Sequence, residues 1–564
     1  MTLPRRRFLQ AAGAGTAAAA LLTALPKAAL AATGLVPEST PEPTGQSTTP
    51  LDGDWAFATD PGAAGTGAGW QQPGFDDSDW ARLPVPGNWD LHDAYANYHG
   101  KAWYRRQFPS PATSPGQVVR LRFEAVYYQA QVWFNGTLLG GHSGGYTPFE
   151  FDVTSLLAAD GPNTVAVLAD NTYSIGAWWA WGGISRSVNL TVNEAVRVER
   201  QHVITTPDLA AGTAALDVWI TVSNASSTQV TVTVAGQVTD TAGTPLTGVS
   251  TVDAALTIGA RGEAEAHLQI HLPAGSFTLW QLDDPHLYLF ATTVTDPAGA
   301  LAHRRTDRFG IREVRIDGTA LLLNGEQVRV NGYNRVGDDR VVGATEPDYL
   351  VQRDIDRMKA SGANMMRIHH VPQAPNLLDY ADEKGLLLIE EIPVWGKGAN
   401  LDPNDPTTRG QFREMIRRDY NHPSIIAWSV CNEIAGTSDA GRTYVRTMID
   451  WVRHELDSTR LLTYVSNTYS GASTPAEEAL QYTDFCCLNM YGNFAGAADH
   501  AHQLFPDKPL FVSEFSSDSS SFPTSRELVD FRTTSDAAAA AFRGRPWLIG
   551  ASLWSYNDYR SGFS

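Results

Sequence analysis

The sequence predicts a multidomain fold: an N-terminal jelly-roll β-sandwich, an immunoglobulin-like β-sandwich, and a C-terminal (β/α)8 TIM barrel lacking its last helix. Its 564 residues exceed what a single hydrophobic core supports. The first half shows short alternating runs typical of strands, whereas strand-like runs alternate with helical patterns in the second half. With 43% apolar and 18% charged residues, the composition is typical of a globular protein.

The first 31 residues are typical of an export signal rather than of a folded domain. Arg5-Arg6-Arg7 precedes Phe8 and an Ala/Leu-rich stretch, and Ala29-Leu30-Ala31 is a small-residue cleavage pattern. The paired arginines resemble a twin-arginine signal, which predicts a secreted protein. Residues 32–50 are rich in Thr, Pro, Ser and Gly and predict a linker.

Residues 51–196 and 197–308 predict two successive β-sandwiches. Runs such as VVRLRFEAV (118–126) in the first are separated by Gly, Pro and Asn, as in a jelly roll. The second has Thr/Val-rich runs such as STQVTVTVAGQV (227–238) and the size of an immunoglobulin-like domain. The cluster Trp178, Trp179 and Trp181 is interpreted as sandwich core or domain interface, with ligand contact as the alternative.

Residues 309–564 predict the TIM barrel, because eight strand-like runs with helical patterns between them occupy about 250 residues. The sequence ends at Ser564, soon after the eighth run, so the last helix is not part of the prediction. The runs are QVRVNGYNRV (327–336), NMMRIHH (364–370), LLLIEEIP (386–393), IIAWSVCNE (425–433), LLTYVSN (461–467), DFCCLNMY (484–491), PLFVSEF (509–515) and IGASLWSY (549–556).

Two glutamates end strand-like runs of this barrel. Glu433 ends the fourth run, and Glu514 lies at the end of the seventh. Because the carboxyl ends of all barrel strands meet at one mouth, both carboxylates are expected to face one pocket. A pair of carboxylates at one pocket is what glycoside hydrolysis requires. The alternative interpretation of the two glutamates is a buried ion pair.

Longer motifs carry a family resemblance. RDYNHPSIIAWSVCNE (418–433) resembles glycoside hydrolase family 2, the family of β-galactosidases, β-glucuronidases and β-mannosidases. LDGDWAF (51–57), VWFNGTLLGGHSGGYTPFEFDVT (132–154) and WWAWGGISR (178–186) resemble the sugar-binding domain of that family. The resemblance implies a retaining exo-β-glycosidase acting on an oligosaccharide or other glycoside, with β-D-galactosides expected before β-D-glucuronides. A β-mannosidase and a non-catalytic carbohydrate-binding protein remain the alternatives.

The resemblance also implies a role for each residue. Glu433 would be the general acid/base and Glu514 the nucleophile, with carboxyl groups about 5–5.5 Å apart. Asn432 would hydrogen-bond the sugar 2-hydroxyl, and Tyr491 would steady the nucleophile. Arg367 and His370 are expected to bind substrate, with packing alone as the alternative. Glu391 is also expected to bind substrate, with a position behind the pocket as the alternative. Trp554 would offer a flat face to the sugar ring, with core packing as the alternative.

Composition and motifs exclude several other classes. The formal charge of −19 argues against a nucleic-acid binder, and no later stretch is long and apolar enough to span a membrane. Cys431, Cys486 and Cys487 lie inside strand-like runs and predict packing rather than a disulfide framework or a metal site.

Two departures from the family pattern affect the expected metal site and the identity of the substrate sugar. Asn334-Arg335-Val336 stands where many members have Asn-Arg-His, a histidine of the magnesium-dependent galactosidase pattern. No metal and no other cofactor are therefore expected. The sequence ends before the stretch in which the family's glucuronidases carry a carboxylate-recognising Asn and Lys, so the motifs leave the sugar open.

Overall fold

The computed structural model describes residues 44–176, 179–368, 370–516 and 525–562. The expected export signal and most of the expected linker lie outside these residues, as does Trp178. Among the residues that are described, no helix combines the length and the apolarity needed to cross a lipid bilayer.

The first domain is a sandwich of two antiparallel sheets. Its strands are β1 Gln46–Pro50, β2 Gly53–Thr59, β3 Ala81–Val85, β4 Lys101–Phe108, β5 Val118–Phe123, β6 Gln129–Phe134, β7 Thr137–Ser143, β8 Phe149–Asp152, β9 Asn163–Asp170 and β10 Val188–Asn193. One sheet has the order β1-β10-β5-β8 and the other β3-β2-β4-β9-β6-β7. Alternate residues of both sheets, among them Trp55, Tyr104 and Phe123, are buried in a shared core.

Strand β1 corrects the linker prediction at its carboxyl end. Residues 46–50 pair antiparallel with β10, from Gln46 opposite Asn193 to Pro50 opposite Asn189. The run QSTTP reads as a linker by composition, but Thr is β-branched and favours strands. Pro50 is accommodated because β1 is an edge strand, where a missing N–H group is tolerated.

The second domain is a smaller sandwich. Its strands are β11 Val196–Asp208, β12 Thr213–Asn224, β13 Val230–Asp240, β14 Val252–Ile258, β15 Gly262–Leu272, β16 Tyr288–Thr295 and β17 Leu301–Phe309. They form a sheet of order β11-β12-β15 that packs on a sheet of order β14-β13-β16-β17. Period-two alternation is clearest in β15, where every second residue from Ala266 to Leu272 is buried.

The third domain is a closed barrel of eight parallel strands. They are β21 Val330–Arg335, β22 Met365–Ile368, β23 Leu387–Glu391, β24 Ile425–Asn432, β25 Leu461–Ser466, β26 Cys486–Met490, β27 Leu510–Phe515 and β28 Leu548–Leu553. Strand β28 pairs with β21 and closes the cylinder. A small sheet of β18 Val314–Asp317, β19 Ala320–Leu323 and β20 Glu326–Gln327 covers the amino-terminal end, where Leu321 packs against Val330 and Met365.

Helices surround the barrel, and their ends follow sequence signals. They are α1 Asp348–Ala360, α2 Pro375–Lys384, α3 Pro406–Asp419, α4 Asp439–Glu455, α5 Phe494–Leu504 and α6 Ser525–Phe542. The N-cap side chains of Asp405 and Ser438 accept hydrogen bonds from Thr408 N and Gly441 N. Gly385 ends α2 in the left-handed region. Within the described residues the connection from β25 to β26 has three short 3₁₀ turns instead of an α-helix.

Candidate active site

The predicted site residues gather at the carboxyl ends of the barrel strands. Glu433 directly follows β24, and its backbone N–H group donates to Val465 O of the next strand at 2.9 Å. Glu514 lies in β27, and Asn489 of β26 is its partner in the parallel ladder. Glu433 and His370 have left-handed backbone conformations, with φ of 54° and 57°. Such conformations are unfavourable for residues other than glycine and concentrate at functional sites.

Two donors hold the carboxylate of Glu514. Arg367 Nη1 donates to Oε1 in a buried ion pair, and the Tyr491 hydroxyl donates to Oε2 at 2.5 Å. Only 3% of Glu514 is exposed. Both oxygens are thus oriented by protein groups, and one of these groups is a permanent cation. This arrangement fits a carboxylate that reacts as an anion.

The environment of Glu433 differs. Asn489 Nδ2 donates to its Oε1 at 2.8 Å, and no cation forms an ion pair with it among the described residues. Burial, followed by the negative charge of Glu514, raises the pKa of Glu433 to about 7. A carboxyl group with this pKa exchanges a proton near neutral pH, as a general acid and base must.

Arg367 is the centre of the hydrogen-bond network below these glutamates. It is completely buried, and besides Glu514 it donates to Glu391 Oε1 at 3.1 Å and to Asn432 Oδ1 at 2.8 Å. Burial and the charge of Arg367 lower the pKa of His370 well below its usual value. The imidazole is therefore neutral at neutral pH.

Glu391 differs from the expectation that it binds substrate. It is completely buried, its Oε1 lies 2.7 Å from His370 Nδ1, and its Oε2 accepts from the Ser429 hydroxyl. Both oxygens are occupied by protein donors, so Glu391 orients Arg367 and His370 from behind the pocket. Sequence position alone does not separate this role from substrate contact, because both place a carboxylate at a strand end.

Two other predicted residues offer groups to a ligand. Asn432 Nδ2 is buried and has no hydrogen-bond acceptor among the described residues, although its Oδ1 accepts from Arg367. The ring of Trp554, after β28, lies nearly parallel to His370, with centroids 6.1 Å apart and planes 16° apart. A partly buried indole beside the pocket suits the apolar face of a sugar ring.

Two tryptophans of the first sandwich, Trp179 and Trp181, contact the barrel domain. Trp181 Nε1 donates to the buried carboxylate of Asp338 at 2.9 Å. The guanidinium of Arg560, after β28, lies 3.5 Å from the centroid of Trp179. These contacts favour the domain-interface interpretation of Trp179 and Trp181.

The sequence prediction missed Asn489 and Ser429, which contact site carboxylates. Asn489 lies on β26, two residues before Tyr491, which directly follows the strand. Side chains two apart along an extended chain share one face. That periodicity, applied to the run LNMY, points to Asn489. Ser429 has no comparable signal, because its hydroxyl is one of several small side chains within the fully buried strand β24.

One cluster of potential metal ligands occurs within the described part of the chain, away from this pocket. Asp379, Asp382 and His422 lie near the amino-terminal end of β24. Asp379 forms an ion pair with Arg308 at 2.8 Å, and His422 Nδ1 lies 2.6 Å from Asp382 Oδ2. Burial lowers the pKa of His422, but the charge of Asp382 outweighs it and raises that pKa to about 9. The arginine and the protonated imidazole therefore neutralise these carboxylates. The cluster is better described as an ion-pair network than as a metal centre.

Comparisons with known families match this architecture segment by segment. The sugar-binding domain of glycosyl hydrolases family 2 matches residues 48–193, and the TIM-barrel domain of that family matches residues 314–523. A third family-2 domain matches residues 196–312 between them. The chain belongs to glycoside hydrolase family 2.

Relatives within the family differ in the sugar they act on. A β-galactosidase of Bacteroides ovatus is 30% identical over 408 residues, covering 68% of this chain but 46% of its own length. A β-glucuronidase structure from Bacteroides uniformis is 27% identical with a TM-score of 0.79, covering 91% of this chain and 65% of that one. A β-galacturonidase from Eisenbergiella tayi, bound to galacturonate, is 25% identical with a TM-score of 0.77 and coverage of 92% and 91%. The chain spans about half the length of the Bacteroides ovatus relative.

Proposed function

We propose that the chain is a retaining exo-β-glycosidase that hydrolyses terminal β-D-glycosides by double displacement. The observation that carries the proposal is the contrast between its two carboxylates. Glu514 is oriented by Arg367 and Tyr491, whereas burial and the charge of Glu514 raise the pKa of Glu433 to about 7. Carboxyl groups whose environments differ in this way suit a nucleophile and an acid/base.

In the first step, a carboxylate oxygen of Glu514 attacks the anomeric carbon as the bond to the leaving oxygen breaks. Glu433 gives its proton to that oxygen, which leaves a glycosyl ester on Glu514. In the second step, Glu433 takes a proton from water, and the water oxygen attacks the anomeric carbon as the ester bond breaks. Two inversions give net retention, and both glutamates return to their starting states.

Asn432 and Trp554 supply binding groups for this reaction. The N–H donor of Asn432, which has no acceptor in the described part of the chain, suits the 2-hydroxyl of the sugar, and its Oδ1 is held by Arg367. A buried donor without an acceptor costs free energy until a ligand satisfies it. Trp554 adds an apolar surface for the ring.

The charge of the pocket favours a neutral sugar. Among the described residues that bond to either glutamate, Arg367 is the one permanent cation, and it is already engaged by Glu514, Glu391 and Asn432. A uronate would bring a further negative charge beside these carboxylates. We therefore rank β-D-galactosides first, in agreement with the Bacteroides ovatus relative, and β-D-glucuronides second. β-D-mannosides are the remaining alternative within the family.

We also propose that the protein is secreted. The twin-arginine pattern and the small-residue cleavage pattern of residues 1–31 support export of the folded enzyme.

A panel of aryl β-glycosides tests the activity and names the sugar. The purified chain and its Glu514→Ala variant are assayed with galactoside, glucuronide, galacturonide and mannoside. We expect turnover of the galactoside and a loss of at least about 10³-fold in the variant, whose circular dichroism should still show the native fold. The control is Ser552→Ala, which removes a buried hydroxyl of the neighbouring strand and should retain activity. Binding without turnover of any glycoside would instead favour the non-catalytic carbohydrate-binding alternative.

A further inference from the structure

A pair of buried side chains connects the strand of one glutamate to the carboxyl group of the other. Ser513 directly precedes Glu514 on β27, and its hydroxyl donates to Asn489 Oδ1 at 2.8 Å. Asn489 Nδ2 then donates to Glu433 Oε1 at 2.8 Å. Ser513 is completely buried and Asn489 is 5% exposed, so water does not compete freely for these bonds.

We propose that Ser513 is a positioning residue that fixes the side-chain amide of Asn489 so that its N–H group donates to Glu433. The inference rests on the acid/base role proposed for Glu433. It assigns a function to a hydroxyl that touches neither the substrate nor either glutamate.

The side-chain amide of Asn489 has two chemically different ends. An asparagine side chain presents an oxygen acceptor on one side and an NH2 donor on the other, and a flip of 180° exchanges them. Because a serine hydroxyl both donates and accepts, it does not fix the flip alone. Ionised Glu433 accepts only, however, so the arrangement with Oδ1 towards Ser513 satisfies every group. With Ser513 removed, Oδ1 loses its donor. The amide is then held less firmly towards Glu433, by its bond to that carboxylate and by a longer contact of 3.5 Å from Nδ2 to Asn432 Oδ1.

Several groups besides Asn489 act on Glu433, and they come from four neighbouring strands. Glu514 on β27 and the phenol of Tyr491 after β26 face it, and Arg367 approaches from β22. Asn467, after β25, contributes a second neutral amide. Hydrogen bonds from Asn489 and Asn467 lower the pKa of Glu433, opposing burial and the charge of Glu514. Loss of the Asn489 donor therefore raises the pKa of the acid/base.

The test compares Ser513→Ala with Ser552→Ala. Ser552 is also buried in a barrel strand, but its hydroxyl has no hydrogen-bond partner among the described residues. The readout is kcat/KM against pH for two aryl glycosides of the sugar that the wild type turns over, one with a good and one with a poor leaving group. We expect Ser513→Ala to move the alkaline limb to higher pH. At its optimum it should lose about tenfold on the poor leaving group and much less on the good one.

Further variants separate positioning from a packing defect. Asn489→Ala should reproduce the shift of the alkaline limb, and adding Ser513→Ala to it should cause no further loss, because Ser513 acts only through Asn489. Ser513→Thr keeps the hydroxyl and should restore the wild-type profile.

Three outcomes would overturn the proposal: an unmoved alkaline limb in Ser513→Ala, equal losses on both leaving groups, or additive losses in the double variant. The proposed function is judged separately. If wild-type turnover depends on Glu433 and Glu514 but Ser513→Ala behaves like Ser552→Ala, only the positioning role fails.

Discussion

At the residue scale, the neighbours of two glutamates give these identical side chains different properties. A guanidinium and a phenol orient Glu514, while Glu433 is bonded by neutral Asn489 and faces the charge of Glu514. The left-handed backbone of Glu433 turns its side chain out of the buried strand β24 at the cost of local strain. In the proposed mechanism, the same residue type is therefore the nucleophile at one strand end and the acid/base at another.

The raised pKa of Glu433 predicts the pH dependence of the enzyme. The proposed first step needs Glu433 protonated, and the pKa of Glu433 is about 7. The value of kcat/KM should therefore fall as pH rises through about 7, because the acid form is lost. In Glu433→Gln this limb should disappear. Activity on a poor leaving group should drop by about 10²–10⁴-fold, with a smaller loss on a good leaving group in the first step.

Stopped-flow measurement of glycosylation with a series of substituted phenyl glycosides checks this prediction. A loss in Glu433→Gln that is the same for every leaving group would contradict the acid role, and so would a persistent alkaline limb near neutral pH.

At the element scale, buried ion pairs hold the first barrel strand to the first helix. Arg335, at the end of β21, donates to Glu346 Oε1 at 2.5 Å and to Asp354 Oδ2 of α1 at 3.0 Å. All three side chains are almost fully buried. The network fixes the loop that carries Asp338, which in turn binds Trp181 of the first sandwich.

Arg335→Met should therefore destabilise the protein strongly. The substitution leaves Glu346 and Asp354 buried with reduced compensation, which costs about 3–5 kcal/mol in the free energy of unfolding. The matched control is Arg315→Met, because the carboxylate partners of Arg315, Glu313 and Asp317, are 35% and 67% exposed and the arginine itself is 46% exposed. The control should cost less than about 1 kcal/mol. Urea unfolding of both variants checks this, and similar costs for both would contradict the account.

The strands and helices were largely predictable because each carries a local pattern. Period-two alternation marks the sandwich strands such as β15, and mostly apolar runs that end in polar residues mark barrel strands such as β24. The exceptions have physical reasons. Residues 46–50 look like a linker until β10 supplies a pairing partner, and the β25–β26 connection contains Gly471 and Pro475, which disfavour a long helix.

At the scale of the whole molecule, the site depends on contacts that no local pattern reveals. The strand-end glutamates, Asn432 and Tyr491 followed from the motifs, since each lies within a recognisable run, whereas Asn489 and Ser429 were missed. The hydrogen bond between Ser429 and Glu391 joins two strands. The bonds from Ser513 to Asn489 and from Asn489 to Glu433 also cross between strands. Trp181 and Asp338 join different domains. Tertiary packing determines such contacts. Sequence motifs therefore predict which strand ends belong to the site but not how the side chains bond to one another.

In the proposed double displacement, Glu514 forms a covalent bond to the sugar during turnover. This covalent step is tested most directly by mass spectrometry after incubation with a 2-deoxy-2-fluoro-β-glycosyl fluoride of the preferred sugar, whose electron-withdrawing fluorine slows hydrolysis of the glycosyl ester. The intact mass should rise by one fluoroglycosyl group, and peptide mapping should place this group on Glu514. A stable adduct on a different residue, or hydrolysis of the natural glycoside with inversion at the anomeric carbon, would contradict the proposed mechanism.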